Sequence, residues 1–386
     1  MKLSPVVLAF LPFLSVSVLA QQRARDLGVP FDGRPGRLDA ITDVQGVEIG
    51  DTTLISGDGP LKVGNGPVRT GVTVVFPRGK ANPDPVYAGW FAQNGNGEMT
   101  GTTWVDESGF LESPIAITNT HSVGVVRDAI IAYGVKHGTL KQDWSLPVVA
   151  ETWDGFLNDI NGFHVKPEDV FAAMENAHGG AVPEGAVGGG TGMVCYGFKG
   201  GDGTASRVLS KEDGGYTVGV LVQCNCGRRP QLTIAGVPVG KEIPQNVPYG
   251  MFKDAKGGEN EGDVGSIIIV VATDAPLLPD QLKRLARRAT MGLARTGSTS
   301  GNGSGDIFIA FSTANAHAWD DSPSPHTVQT VANERMSPLF QATVEATEEA
   351  IVNALVAGKT MTGIDGHTVI GLPHEELRKT LKKYGQ

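Results

Sequence analysis

The chain has 386 residues, of which 53 are Gly and 23 Pro; together they fill about a fifth of all positions, against about 12% in ordinary chains. Hydrophobic residues make up 40%, enough for a large core in one big domain or two ordinary ones; the Gly has no three-residue period and apolar runs separate its clusters, which excludes collagen and low-complexity linker. Lys and Arg number 32 against 41 Asp and Glu, a net charge of −9, which argues against a nucleic-acid partner and leans towards ammonium-bearing substrates.

At the N-terminus, Lys2 precedes an apolar run from Val6 to Leu19, broken by Pro12 and two serines, and Val18-Leu19-Ala20 leads into Gln21-Gln22-Arg23. An early positive charge, a short apolar core and small residues before the cut predict a secretory signal peptide over residues 1–20. Pro5 and Pro12 argue against a buried helix there. The mature protein is expected to be exported, periplasmic or secreted. No other segment approaches the roughly 18 apolar residues of a membrane span.

Farther along, β-branched apolar runs bounded by turn signals predict strands at 72–76, 115–118, 147–150, 218–222, 267–272 and 306–311. Several are apolar at consecutive positions, which implies sheets covered on both faces. Helices are predicted at 126–137, 168–178 after Pro167, 279–295 and 337–357. The 279–295 segment places Leu282, Leu285, Ala286, Ala289 and Leu293 at helical spacing, and Ser337-Pro338 supplies a cap with Pro in the first turn. An α/β chain in one compact unit is the expected class.

Three cysteines, Cys195, Cys224 and Cys226, cannot all pair within one chain. Cys224 and Cys226 share a face if they lie on a strand, and buried small apolar residues are the favoured reading, with neither a disulfide framework nor a thiol enzyme indicated. Residues 240–263 are polar and Gly-rich and predict an exposed loop. That stretch gives way at Gly265-Ser266 to the strongly apolar run 267–271, an unusual junction.

The candidate chemistry is sparse. Gly188-Gly189-Gly190-Thr191-Gly192 is Gly-rich, but the downstream residues read as strand and turn, so neither the Rossmann fingerprint nor a Walker loop is satisfied. Gly297-Ser298-Thr299-Ser300-Gly301 has Thr where a nucleophile elbow needs Ser. None of the eight histidines falls in an H-x-x-x-H pair, His317 and His326 sit in a polar loop, and no metal or cofactor is expected. Ser304 and Asp306 flank Gly305 ahead of an apolar run, two residues apart and on one face if the strand reaches back to them. That pattern fits either a substrate site or a capped turn. Glu151 closes another apolar run, where it either binds a substrate ammonium or lies at the surface.

Several segments then converge. Ala150-Glu151-Thr152-Trp153-Asp154-Gly155, residues 188–196 with Gly197-Phe198-Lys199-Gly200-Gly201, Val222-Gln223-Cys224-Asn225-Cys226-Gly227, residues 266–278 and residues 302–306 together resemble the DmpA-type aminopeptidases. This family comprises L-aminopeptidase/D-Ala-esterase/amidases and β-peptidyl aminopeptidases, and the likeness runs from about residue 43 to about residue 371. It implies a four-layer αββα sandwich, like that of N-terminal nucleophile hydrolases but differently connected. It implies a precursor that cuts itself between Gly265 and Ser266, leaving a larger fragment 21–265 and a smaller fragment 266–386. On the matching positions Ser266 is the nucleophile, Ser304 and Asp306 complete the catalytic group, Asn225 donates to the oxyanion, and Glu151 holds the substrate's amino group. Trp153 stands where the family often has Tyr; an indole lacks the phenolic hydroxyl, so Trp153 is expected to wall the pocket.

The implied chemistry is coherent, because an N-terminal amine freed beside a Ser hydroxyl is a recognised base for it. The expected function is a self-processing serine aminopeptidase acting on peptides, amides or esters with a free amino group, as a homo-oligomer of processed heterodimers. Two alternatives remain: an acyltransferase like the ornithine acetyltransferases, which use Thr rather than Ser, and an exported ligand-binding protein without activity.

Overall fold

Long runs of Val and Ile build the centre of the molecule, and the computed structural model describes residues 21–248 and 265–386. The expected signal peptide lies outside the described residues. In chain order the elements are β1 (Glu48–Ser56), β2 (Val68–Phe76), β3 (Val86–Ala92), α1 (Thr102–Ser108), β4 (Phe110–Leu111), β5 (Ile115–Asn119), α2 (Val123–His137), β6 (Val148–Thr152) and α3 (Pro167–Asn176). They continue with β7 (Val194–Cys195), β8 (Phe198–Lys199), β9 (Gly201–Val208), β10 (Thr217–Asn225), α4 (Val239–Glu242), β11 (Ser266–Thr273), α5 (Pro279–Arg295), β12 (Gly305–Ser312), α6 (Ser337–Ala357) and α7 (His374–Lys383).

Two sheets carry the fold, one of four strands in the order β1-β2-β5-β6 and one of six in the order β4-β3-β12-β11-β10-β9. Their neighbours are antiparallel except β5 with β6 and β11 with β12. The side chains sort into three apolar layers. Ile268, Val270 and Ala272 of β11 pack with Ile115, Ile117 and Ala150 of the other sheet. Ile267, Ile269 and Val271, turned the other way, pack with Leu285 and Ala289 of α5 and Ala346 and Ala350 of α6. Val72, Val74 and Val149 pack with Ile130 of α2 and Ala173 of α3. The stacking is therefore helix, sheet, sheet, helix: the expected αββα sandwich. It explains why every residue of β11 is buried and why its sequence shows no polar alternation.

The 240–263 stretch departs from expectation at its start. Residues 239–242 form α4, Gly240 and Ile243 are buried, and a Cβ at Gly240 would lie 1.6 Å from Arg229 O. The reason is close helix packing, which a count of polar residues does not register; residues 249–264 lie outside the described residues.

The chain's first described residues are fastened to α6. Ala24 N–H donates to Asn353 Oδ1 at 3.0 Å, Arg25 Nε and Nη2 donate to Glu349 at 2.6 and 2.7 Å, and Arg207 Nη2 of β9 lies 2.7 Å from the same carboxylate. Burial alone would raise the Glu349 carboxyl, but the Arg25 hydrogen bond and the Arg207 charge outweigh it and hold the group below its ordinary value. Breaking one partner of a buried ionic cluster leaves uncompensated charge. Glu349→Gln is expected to lower unfolding stability by about 3–5 kcal/mol at neutral pH. Because the folded-state pKa is depressed, the deficit should shrink as pH falls through it, which guanidinium titrations across acidic pH will measure.

Candidate active site

Ser266 opens β11, and strand register alone assigns its neighbours. On the antiparallel side Asn225, the last residue of β10, stands directly opposite, a pairing that puts both side chains on one face with Cβ atoms about 4.5–5.5 Å apart. On the parallel side the partner is Gly305, first residue of β12, whose N–H donates to Ser266 Oγ at 3.1 Å. Ser266 has the parity of Ile268 and Val270, so its hydroxyl belongs to the face between the sheets. It is 7% exposed and Asn225 1%.

The Asn225 amide is fixed at both ends. Val194 N–H donates to its Oδ1 at 2.7 Å, and its Nδ2 donates to the Trp153 carbonyl at 2.9 Å. Trp153 therefore serves Asn225 through its main chain. Its indole, 40% exposed, lies over Gly155, where a Cβ would meet the ring at 2.7 Å. A Cβ at Gly265 would lie 2.3 Å from Asn225 O and 2.8 Å from Cys226 Cα, so the Gly265–Ser266 junction runs against the end of β10 where no larger residue fits.

Ser304 and Asp306 do share a face: Ser304 Oγ donates to Asp306 Oδ1 at 2.6 Å, and both are buried. Asp306 is registered with Ile267, so the pair has the opposite parity to Ser266 Oγ. It flanks the start of β11 from the other side of the sheet.

Glu151 lies in β6 of the four-stranded sheet, as the register partner of Thr118 of β5. It is buried rather than superficial. Its Oε1 accepts from Glu98 N–H at 3.0 Å and its Oε2 from the Thr120 hydroxyl. Burial pushes the carboxyl above its ordinary value, against the pull of the two hydrogen bonds and with a further push from the Glu98 charge. The residues joining Glu151 to the serine escape sequence reasoning. Asn96 N–H donates to Ser304 O and its Nδ2 to Gly303 O, while a Cβ at Gly97 would lie 3.1 Å from Gly305 Cα and 3.2 Å from Glu151 Oε1. A single glycine thus separates the backbone that donates to Ser266 from the buried carboxylate. The Asn-Gly-Asn-Gly run at 94–97 is the one sequence signal that marks the place.

The remaining candidates lie elsewhere or act otherwise. The 188–192 turn is a buried 3-10 helix; Cβ atoms at Gly189 and Gly190 would lie 2.1 Å from Gln223 Oε1 and 2.3 Å from Asp202 N, so these glycines serve close packing and not a phosphate. His317 and His326 are exposed. The cysteine expectation needs correcting. All three are buried, and Cys224 and Cys226 do face each other, with sulfurs 3.8 Å apart, but Cys195 and Cys224 form a disulfide. β7 crosses the end of β10, a neighbour that spacing along the chain does not reveal. Among the described residues these three are grouped closely enough to suggest a metal site, but the disulfide takes two of the three sulfurs.

The chain has relatives among known proteins. Residues 39–369 match the sequence profile of peptidase family S58. The chain belongs to this family. It is 54% identical over 385 residues to the β-peptidyl aminopeptidase BapA of Sphingosinicella microcystinivorans, covering 98% of this chain and 97% of that one. Among solved structures it is similar to the L-aminopeptidase D-Ala-esterase/amidase of Ochrobactrum anthropi, a prototype serine aminopeptidase with a variant Ntn hydrolase fold (47% identity, TM-score 0.86, 94% of this chain and 99% of that chain). A Burkholderia β-aminopeptidase is alike too (47% identity, TM-score 0.85, 95% and 99% covered). The S58 chain is accordingly a serine-type aminopeptidase with an Ntn-hydrolase-like fold, and neither an acyltransferase nor an inert binding protein. Among its described residues no helix is long and apolar enough to cross a membrane.

In this S58 enzyme Gly305 is, with Gly265, among the tightest points of the site, since a Cβ there would lie 2.4 Å from Asn96 O. Gly305→Ala is expected to cost about 1–3 kcal/mol of stability, as overpacking does, and to lower kcat for an aminoacyl p-nitroanilide more than tenfold, because the displaced strand carries the donor to Ser266. Thermal denaturation and steady-state kinetics on the same preparation measure both.

Proposed function

We propose that this S58 enzyme is a self-processing aminopeptidase whose nucleophile is Ser266, made by cutting its own Gly265–Ser266 bond. The observation that carries this reading is the register of β11, which sets Ser266 between the Asn225 amide and the Gly305 N–H. In the precursor, Ser266 Oγ attacks the Gly265 carbonyl. The C–N bond breaks, an ester replaces the amide and Ser266 gains a free amine; water then cleaves the ester, leaving the Gly265 carboxylate and the Ser266 hydroxyl. That amine takes the hydroxyl proton in the next cycle.

A substrate enters with its ammonium on Glu151, and Ser266 Oγ attacks the first carbonyl. Asn225 Nδ2–H stabilises the tetrahedral oxyanion, a contribution of about 2.7–4 kcal/mol for one such donor. The leaving amine departs with the proton, and water releases the amino acid from the acyl-enzyme. Ser304 and Asp306, on the far face, orient the main chain of Ser266 and its amine. Trp153 walls the pocket. A carboxylate at fixed distance from the nucleophile accepts only chain ends, which makes the enzyme an exopeptidase. The named β-peptidyl relative at 54% identity favours β-amino acid N-termini among the substrates. The leader-like residues 1–20 favour export, and the resemblance favours an oligomer of processed heterodimers.

Two experiments test this. Wild-type protein should separate under denaturing conditions into fragments 21–265 and 266–386, the latter beginning Ser266-Ile267, whereas Ser266→Ala should stay uncut and fail to hydrolyse aminoacyl p-nitroanilides; an active, uncut variant would sink the reading. The raised Glu151 pKa contributes to the acid limb, beside the Ser266 amine that must also be deprotonated to act as base. Ammonium binding needs the carboxylate, so kcat/KM should fall with decreasing pH at a point above the ordinary glutamate range. Thr120→Val, which removes a hydrogen bond that favours the charged form, should move that limb to higher pH, and an unmoved limb would exclude Glu151 as its origin.

A further inference from the structure

We propose that Lys199 is a positioning residue for the oxyanion donor, acting on Asn225 through one peptide group. This rests on the role given to Asn225 above and extends it. Lys199 lies in β8 and is wholly buried, yet no step of the reaction uses it. Its Nζ donates to three carbonyls, Met193 O at 2.8 Å, Gly200 O at 2.9 Å and Gly190 O at 3.3 Å. Three acceptors match the three hydrogens of an ammonium. Burial pulls the group down to about 7 and the neighbouring Asp202 carboxylate opposes the shift.

The decisive contact is the one to Met193 O. That carbonyl belongs to the Met193–Val194 peptide, whose N–H is the donor to Asn225 Oδ1 at 2.7 Å. In a trans peptide the C=O and N–H point in opposite directions. The Lys199 cation thus sits at one end of a peptide dipole and the Asn225 amide at the other. Gly200 N–H adds a second donor to Met193 O at 3.0 Å. Hydrogen bonds in series polarise one another, most strongly where water is excluded. Drawing electron density towards Met193 O makes Val194 N–H a better donor; that in turn draws density towards Asn225 Oδ1 and makes Nδ2–H a better donor to the oxyanion. The same contacts fix the turn that keeps Asn225 from rotating. The effect belongs to the transition state, in which the negative charge exists, and so should fall on kcat rather than KM.

A double-mutant cycle tests this on the full-length chain, with two readouts: the rate at which the precursor is cut, followed by intact mass, and kcat and KM of the cut enzyme on an aminoacyl p-nitroanilide. Asn225→Ala should lose about 10²–10³ in both rates. Lys199→Met should lose on the order of tenfold in kcat, with KM within about twofold, as expected for a partial weakening of one such donor. In the Asn225→Ala background Lys199→Met should change either rate by less than about twofold, since its target is gone. Lys199→Gln, which retains two N–H donors but no charge, should recover part of the loss, and it carries the same cycle if the Met variant does not fold. Equal fractional losses in both backgrounds would overturn the proposal and leave Lys199 a structural residue. A wild-type rate in Asn225→Ala would instead overturn the oxyanion role itself, so the two failures are distinguishable.

Discussion

The site depends on one constraint, the register of β11 between an antiparallel and a parallel neighbour. Sliding the strand by one residue would turn Ser266 to the opposite face, away from Asn225, and exchange the two rows of apolar side chains beneath the helices and between the sheets. Hydrophobicity does not prevent this slip, because β11 is apolar on both faces from 267 to 272. Shape does. A Cβ at Gly203 of β9 would lie 2.1 Å from Ala350 O of α6, one at Gly219 of β10 would lie 2.7 Å from Ile41 Cα, and one at Gly305 of β12 would strike Asn96 O. Each bare backbone position accepts one particular neighbour, so β9, β10 and β12 are held in place and offer β11 one fixed set of partners.

The glycine excess thereby acquires a physical role. Gly265, Gly97 and Gly305 allow the Ser266 strand, the 96–98 segment and the end of β10 to approach within backbone contact. The 188–192 turn does the same between the sheets, and Lys199 draws on its Gly190 carbonyl and on that of Met193 just beyond it. A composition that looks suited to loops is concentrated where main chains must touch.

How much of this was legible in the sequence follows from what kind of contact each feature makes. The central strands were readable because β-branched runs are long and bounded. α5 and α6 were readable to the residue because Pro sits in the first turn of each. Ser304 and Asp306 were recognisable as a pair because a spacing of two on a strand is a geometric statement. β1 and β9 were not: β1 is half-exposed and β9 reads Gly-Asp-Gly-Thr-Ala-Ser-Arg-Val, with few apolar residues to announce it. Glu98 and Thr120 were invisible for another reason. One serves Glu151 through a main-chain N–H and the other through a hydroxyl 31 residues distant, and neither kind of contact leaves a spacing to find. The Cys195–Cys224 bond is likewise a product of strand crossing. The resemblance pointed to Ser266, Asn225 and Glu151, but not to what holds them.

What holds them has a sign. β11 lies between β12 and β10. On the β12 side, across Gly305 and Gly97, is the Glu151 carboxylate; on the β10 side, behind Asn225 and the Met193–Val194 peptide, is the Lys199 nitrogen. A substrate poised for cleavage is polar in the same sense, with a positive ammonium at one end and negative charge growing on the carbonyl oxygen. In the proposed mechanism the anion-seeking side faces the oxygen and the cation-seeking side faces the amine. Both protein groups are buried, where charge interactions are strongest and fixed dipoles need not reorganise during the reaction. A chain end without an ammonium would leave Glu151 uncompensated. An uncharged ground-state carbonyl would gain little from Lys199. On that proposal, recognition of the substrate and stabilisation of its transition state are two ends of one field, and it is the strand between them that keeps the ends apart.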